Sequence, residues 1–209
     1  MLNQELARML LEIKAVSIVD ETNLFTWVSG IKSPVYCDNR LTISYPKVRK
    51  TIAQGFADLI KKQYGQVDVI AGTATAGIPH AAWVADILDL PMVYVRSTAK
   101  GHGKGNQIEG ALLEGQKVIL IEDLFSTGGS SLKAVDALKE AGADVLKVYS
   151  IFSYNFTEVQ TKFDAAGVAF ESLTDYATLL PIASEMGYVE ESKVATLMEW
   201  SKNPRIFTE

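Results

Sequence analysis

The sequence predicts an α/β fold in which a central, mostly parallel sheet is flanked by helices. Short apolar, β-branched runs alternate with segments of helical periodicity through the middle of the chain, as in successive βαβ units. Each run is almost continuously apolar, which is typical of strands buried on both faces of a parallel sheet. The 209 residues are 48% AVILMFWYC and 22% charged, which supplies one large core and excludes a disordered or fibrous chain.

The N-terminal part of the chain is predicted to differ from this alternation. The apolar spacing of residues 3–15 indicates an amphipathic helix, and residues 45–63 are predicted to form a second helix. Residues 22–41 between them are expected to be irregular, because glycine, proline and asparagine interrupt any period. Since no repeat, low-complexity tract or linker is evident, we expect one domain over residues 1–209 with a small N-terminal appendage.

The central and C-terminal parts of the chain are assigned segment by segment. The predicted strands are residues 67–71, 92–95, 118–121 and 145–152. The predicted helices are residues 78–88, 131–140, 174–186 and 190–202. Gly142 follows the second of these helices closely, and a glycine at that position is typical of a helix end.

Charge and cysteine content narrow the class of protein. The net charge is −5, whereas a protein that coats nucleic acid or an anionic membrane normally carries the opposite bias. The single cysteine, Cys37, cannot form an internal disulfide and suits a reducing compartment. The first residues lack the apolar core of an export signal, and the longest uncharged run, residues 69–85, is too short to span a bilayer. We therefore expect a cytoplasmic protein that binds neither nucleic acid nor membrane.

Residues 96–110 (RSTAKGHGKGNQIEG) form a glycine-rich, basic segment. The segment contains three basic residues, Arg96, Lys100 and Lys104, but only one acidic residue, Glu109. Its only large apolar residue is Ile108. Segments of this kind anchor poorly to a core and tend to move. A solvated surface hairpin also fits this composition, but local positive charge at the end of a strand favours a lid over an anion.

Residues 118–131 (VILIEDLFSTGGSS) combine a strand, two carboxylates and a small-residue turn. Ligands of parallel α/β sheets bind beyond the carboxyl ends of the strands, where the N–H groups of such a turn and the dipole of the next helix hold a phosphate. Glu122 and Asp123 would repel that phosphate unless they accept hydrogen bonds from sugar hydroxyls or lie beside a metal ion. Neither GxxxxGK[ST] nor GxGxxG occurs, which argues against Walker A and dinucleotide sites.

The pair Glu122-Asp123 and the turn 126–130 (STGGS) resemble the phosphoribosyl-pyrophosphate (PRPP) signature of type I phosphoribosyltransferases. Two further groups of residues narrow the resemblance to the orotate phosphoribosyltransferase family. They are Arg96, Lys100, His102 and Gly103 in their spacing, and SGIKSP at residues 29–34. The resemblance extends from about residue 22 to residue 154.

This resemblance implies a reaction in which orotate and PRPP give orotidine 5′-monophosphate and pyrophosphate, a late step of pyrimidine synthesis. It implies that residues 1–45 form a hood over the base pocket, and that Mg²⁺ is held mainly through PRPP rather than by a protein metal site. It also implies a homodimer in which each lid closes over the active site of the other subunit.

The same resemblance assigns roles to individual residues. Those implied to bind PRPP are Arg96, Lys100, His102, Glu122, Asp123, Leu124, Phe125, Ser126, Thr127, Gly128, Gly129 and Ser130. Those implied to bind orotate are Ser126, Lys32 and Tyr36. Lys100 is expected to be the most rate-sensitive lid residue, and Asp123 to handle any proton. Residues 72–77 (GTATAG) form either a second anion site, for pyrophosphate, or merely a tight strand-to-helix turn.

Four positions depart from the family pattern by lacking a basic residue that some relatives carry. They are Val28, Ala76, Ser97 and Tyr154. Because these changes remove positive charge from the site, we expect Lys32, Lys104 or backbone N–H groups to replace it.

The remaining polar and aromatic residues receive structural interpretations. His80 is expected to be packed or capping, and Cys37 is not expected to be a nucleophile. The three tryptophans, Trp27, Trp83 and Trp200, are assigned to packing. Tyr36 and Arg40 lie either in the base pocket or on the surface.

Two other functions fit the PRPP motif. One is a phosphoribosyltransferase that acts on a purine base, and the other is a PRPP-sensing regulator that has lost catalysis. A regulator of that kind is expected to carry a helix-turn-helix or a basic face, and the acidic composition argues against both.

Overall fold

The computed structural model describes residues 1–19, 23–27, 30–98 and 107–207. The chain begins with helix α1 (Leu2–Glu12), and its next long helix is α2 (Pro46–Gln63). Between them lie four short strands and a 3₁₀ helix: β1 (Val16–Ile18), β2 (Phe25–Thr26), β3 (Lys32–Ser33), β4 (Val35–Cys37) and Asn39–Ser44. The strands pair antiparallel, β1 with β4 and β2 with β3. The expectation of an irregular segment was therefore wrong in part, because strands of two or three residues are too short to show a period.

Within the described ranges, six strands form the central sheet in the order β10-β9-β8-β5-β6-β7. These strands are β5 (Val69–Thr73), β6 (Met92–Val95), β7 (Ile108–Glu109), β8 (Lys117–Phe125), β9 (Asp144–Ser153) and β10 (Ala169–Asp175). Neighbouring strands are parallel except β6 and β7, which are antiparallel. The predicted mostly parallel sheet is confirmed. The chain builds outward on one side from β5 and on the other from β8, so the topological switch point lies between these two strands.

Helices connect the strands and cover both faces of the sheet. They are α3 (Gly77–Leu88), α4 (Gly129–Glu140), α5 (Thr157–Ala166), α6 (Tyr176–Glu185) and α7 (Glu191–Lys202). The sequence pattern missed α5 and β10. Much of β10 is only half-buried at the sheet edge, so it lacks the continuous apolar run of a central strand. Helix α6 begins at Tyr176 rather than residue 174, because β10 extends to Asp175, whose side chain then caps the helix by accepting from Thr178 N at 2.8 Å.

One hydrophobic cluster joins the N-terminal segment to the sheet. In α1, Leu6 and Leu10 are completely buried, and the helix packs against α6 and β10. All five residues of β5 are buried, as expected for a strand in the centre of a parallel sheet. None of the described helices is both long and apolar enough to cross a membrane.

Candidate functional site

The two adjacent carboxylates lie near the carboxyl end of β8, beside the switch point. Glu122 is 4% exposed, and its Oε2 accepts hydrogen bonds from Ser131 Oγ at 3.0 Å and Ser130 Oγ at 3.3 Å. Its Oε1 accepts from the backbone N–H of Asp123 at 3.1 Å. The side chain of Asp123 is half-buried and lies closer to solvent. Both serines come from the start of α4, so the acid pair and the turn that follows it form one bonded unit.

Burial controls the protonation of this pair. Desolvation, followed by the charge of Asp123, raises the pKa of Glu122 to about 8. Burial also raises the pKa of Asp123, although its hydrogen bond with Glu122 and the charge of Arg40 act in the opposite direction. Glu122 is therefore protonated at neutral pH, and a cation or a hydroxyl donor arriving at the site would favour its ionised form.

The turn after β8 leads directly into α4. Gly128 has φ +74°, the left-handed region that favours glycine, and a Cβ there would lie 3.1 Å from Phe163 Cε2. In the part of the chain that the structure describes, no side chain caps the N-terminus of α4. Its first N–H groups are therefore available to an anion, at the positive end of the helix dipole.

A second turn, residues 74–76, connects β5 to α3 and lies next to the acid pair. A Cβ on Gly77 would lie 2.5 Å from Ile121 O, so only glycine allows α3 to start this close to β8. The peptide bond between Ala74 and Thr75 is cis. Thr73 is buried, and its Oγ1 has no hydrogen-bond partner among the described residues. This geometry is compatible with either sequence interpretation of the turn.

A cavity of about 520 Å³ opens beside the acid pair. Its lining comes from the hood (Thr26, Trp27, Tyr36 and Cys37), from the β8 end and turn (Leu124, Ser126 and Thr127) and from Tyr154. An aromatic and largely uncharged lining suits a flat ring held by stacking and by a few hydrogen bonds. The site thus combines a glycine turn at a helix N-terminus, a pair of acids and an aromatic pocket.

Comparisons with known proteins agree with this geometry. Residues 44–171 match the family model described as "Phosphoribosyl transferase domain". The orotate phosphoribosyltransferase of Listeria innocua is 57% identical over 206 residues, which cover 99% of this chain and 98% of that protein. The chain belongs to the orotate phosphoribosyltransferase family.

Solved structures show the same fold. The orotate phosphoribosyltransferase of Aeropyrum pernix superimposes with a TM-score of 0.76 at 26% identity, covering 88% of this chain and 99% of that one. The UMP synthase of Leishmania donovani gives a TM-score of 0.81 at 26% identity, covering 95% of this chain and 42% of that one. The family resemblance predicted from the motifs is confirmed.

Tyr154, where some members of the orotate phosphoribosyltransferase family carry arginine, is buried in an aromatic cluster. Its ring centroid lies 4.8 Å from that of Trp27 and 6.0 Å from that of Trp200. Its Oη accepts the backbone N–H of Cys37 at 3.0 Å, and burial raises the pKa of its hydroxyl. The pocket therefore has a neutral side chain at this position.

Other candidate residues are placed less centrally. The Lys32 side chain is exposed on β3, while its carbonyl accepts from Trp200 Nε1 at 3.1 Å. Phe125 is buried against Phe163 and Phe170, so a ligand can contact only its main chain. Arg96 directly follows β6, and its Nη1 lies 3.7 Å from Glu109 Oε1.

Several predicted residues lie outside the described part of the chain. They are Val28, Ser29, Lys100, His102, Gly103 and Lys104.

Trp27 and Asn39 are site residues that the sequence pattern did not single out. Trp27 was assigned to packing, and it both packs and lines the cavity. Asn39 is 1% exposed and donates to the main-chain oxygen of Asp123. The packed role expected for His80 and the inert role expected for Cys37 agree with their burial.

Proposed function

We propose that this protein transfers the phosphoribosyl group of PRPP to orotate, releasing pyrophosphate and forming orotidine 5′-monophosphate. The observation that supports this most directly is the continuity of acid pair, phosphate turn and aromatic pocket within one site. These three parts match the three parts of the reactants: ribose hydroxyls, 5′-phosphate and base.

The proposed position of PRPP follows from the hydrogen bonds already made. Both oxygens of Glu122 already accept hydrogen bonds, Oε1 from Asp123 N and Oε2 from two serines of α4. Asp123 is nearer to solvent, so it is the first acceptor for a ribose hydroxyl. The 5′-phosphate lies in the turn 126–130, against the N-terminus of α4. Glu122 holds Ser130 and Ser131 and thereby fixes the shape of that turn.

The residues can assist the chemistry in three ways. Cleavage of the bond between ribose C1 and pyrophosphate leaves positive charge on the sugar, which the Asp123 carboxylate stabilises by electrostatics. The pocket orients the base toward C1, with Ser126 and Tyr36 at its wall. The aromatic lining, in which Tyr154 is buried and Trp27 half-buried, helps to exclude water, which would otherwise hydrolyse the activated sugar.

The donor chemistry of the site suits Mg²⁺ bound together with substrate. Among the described residues, no cluster of three or more His, Cys, Asp or Glu side chains forms a closed metal cage. Mg²⁺ is commonly held by one or two carboxylates together with substrate phosphates, so PRPP would supply most of its ligands and Asp123 at most one. When bound, the ion would neutralise charge on the departing pyrophosphate.

The direct test is turnover with purified protein, PRPP, Mg²⁺ and orotate, followed by loss of orotate absorbance. We expect turnover with orotate and none with hypoxanthine or adenine. Activity with a purine base instead would move the assignment to the purine branch. PRPP binding without turnover of any base would indicate the regulator.

We also propose a cytoplasmic homodimer in which the lid of one subunit acts on the site of its partner, as the family resemblance implies. Mixing subunits tests the lid: Lys100→Ala and Asp123→Asn are each expected to be nearly inactive alone. If the lid acts between subunits, a mixed dimer regains one intact site, and up to about a quarter of wild-type activity should return. Lys104→Ala, the matched lid control, should lose less activity than Lys100→Ala. If mixing restores no activity, the shared lid is wrong.

A further inference from the structure

Asn39 lies at the centre of a hydrogen-bond network that joins the hood to the catalytic end of the sheet. Its Nδ2 donates to the main-chain oxygen of Asp123 at 2.6 Å, across 84 residues of sequence. Its Oδ1 accepts from Cys37 Sγ at 3.3 Å. A carbonyl can only accept and a protonated thiol can donate, so the orientation of this amide is determined by its partners.

The network continues from Cys37 to the base pocket. Burial raises the pKa of the Cys37 thiol, which keeps the proton that Sγ donates. The backbone N–H of Cys37 donates to Tyr154 Oη at 3.0 Å, and Tyr154 N donates in turn to Phe125 O at 3.1 Å. Asn39 is therefore connected both to Asp123 and, through Cys37, to the wall of the pocket.

A second branch reaches the helix that follows the 74–76 turn. Thr42 Oγ1 donates its only proton to the main-chain oxygen of Asn39 at 2.5 Å. His80 Nε2 lies 3.2 Å from the same Oγ1, so Nε2 must carry the proton that His80 donates. Burial lowers the pKa of His80 to about 4, in agreement with a neutral ring in α3.

We infer that Asn39 is a positioning residue that holds the Asp123 peptide in register with the base pocket. The inference rests on the proposed role of Asp123. Few other contacts could replace the bond from Asn39 to the Asp123 carbonyl, because Asn39 is almost completely buried. Its Nδ2 and its Oδ1 are both already hydrogen-bonded. Loss of the Nδ2 donor leaves the Asp123 carbonyl free to move relative to Tyr154. Displacements of about 1 Å at a reacting centre can cost on the order of 100-fold in rate.

The test separates turnover from PRPP binding. In Asn39→Ala we expect kcat to fall about 10- to 100-fold. The PRPP Kd, titrated without base, should change less than about threefold, because the turn 126–130 and its helix dipole stay in place. Asn39→Asp keeps the side-chain volume but points a carboxylate at the Asp123 carbonyl, so its kcat should fall at least as far. If the alanine variant fails to fold, Asn39→Asp still tests whether Asn39 positions the Asp123 peptide.

Tyr176→Phe is the matched control. Tyr176 Oη donates to Leu197 O at 3.1 Å, so this variant also removes one buried bond from a side chain to the main chain, but between α6 and α7. It should lower Tm while leaving kcat within about twofold of wild type.

Three results would overturn the inference. They are unchanged kcat in both Asn39 variants, an equal kcat loss in Tyr176→Phe, or a PRPP Kd that rises as far as kcat falls. Wild-type turnover is measured in parallel with orotate, hypoxanthine and adenine. If the wild-type enzyme turns over a purine base but not orotate, the proposed function is rejected. The Asn39 variants would then be compared with wild type on the base that reacts.

Discussion

Two glutamates of the central sheet have opposite surroundings. Glu171, in the first half of β10, accepts hydrogen bonds from Lys147 Nζ and, at 3.0 Å, from Gln63 Nε2. Burial alone would raise its pKa, but these bonds and the Lys147 charge lower it overall. Glu122, near the carboxyl end of β8, is more deeply buried and lies next to Asp123, and no cation among the described residues bonds to it.

The different surroundings of the two glutamates indicate that one end of the sheet serves stability and the other serves function. Around Glu171 the charges are paired within the protein, so the cluster stabilises the fold without any ligand. Around Glu122 the described residues place no cation to balance a negative charge, so ionising this side chain costs free energy that a ligand can relieve. A site prepared for a sugar with donor hydroxyls and an accompanying cation needs this second kind of environment.

The largest effect should follow from removing the charge of the more accessible acid. Asp123→Asn is expected to lower kcat about 100- to 1,000-fold, because the amide cannot stabilise positive charge on the sugar. Circular dichroism and Tm should show a folded protein, since Asp123 is only half-buried. Activity within tenfold of wild type would mean that the acid pair does not serve the reaction.

An intermediate effect is expected on stability when Glu122 is made neutral. Because its folded-state pKa is raised to about 8, the folded protein binds an extra proton between the unfolded value, near 4.5, and pH 8. Stability therefore falls as pH rises through this window, because the unfolded chain ionises Glu122 more readily than the folded protein does. Glu122→Gln removes the cost, and should raise Tm at pH 8.5 by roughly 2–8 °C and change it little at pH 5.

Thermal unfolding of both proteins at several pH values measures this effect. A Glu122→Gln difference that is the same at pH 5 and pH 8.5 would contradict the raised pKa of Glu122.

The smallest effect, of opposite sign, is expected at Glu171. Because the pKa of Glu171 is lowered in the fold, its carboxylate stabilises the protein above its unfolded-state pKa, near 4.5. This stabilisation is lost as pH falls through the folded-state pKa. Glu171→Gln should therefore destabilise the protein at pH 7 by about 0.5–1 kcal/mol, a small value because the pair is partly exposed. Chemical denaturation at pH 7 and pH 3.5 should show the difference shrinking in acid, with kcat at pH 7 unchanged. A change in kcat would show that the two ends of the sheet are not independent.

Much of the fold could be predicted because its signals are local. The starts of β5, β6, β8 and β9 were predicted within two residues. The largest difference at an end is in β8, which extends to Phe125 rather than residue 121. Buried parallel strands carry continuous apolar runs, whereas β10 at the sheet edge and the very short hood strands do not. Elements without such a run are stabilised by their neighbours, so their own residues do not reveal them.

The sequence by itself determined the acid pair, the glycine turn after it and the helix that follows, because these features depend on residues within one short segment. Only the tertiary structure decided that Asn39 bonds to Asp123, that Tyr154 accepts the Cys37 N–H, and that Trp27 lines the aromatic cavity. These contacts join residues about a hundred positions apart. They arise from how the hood packs on the switch point of the sheet, and packing of that range has no period or motif in the chain.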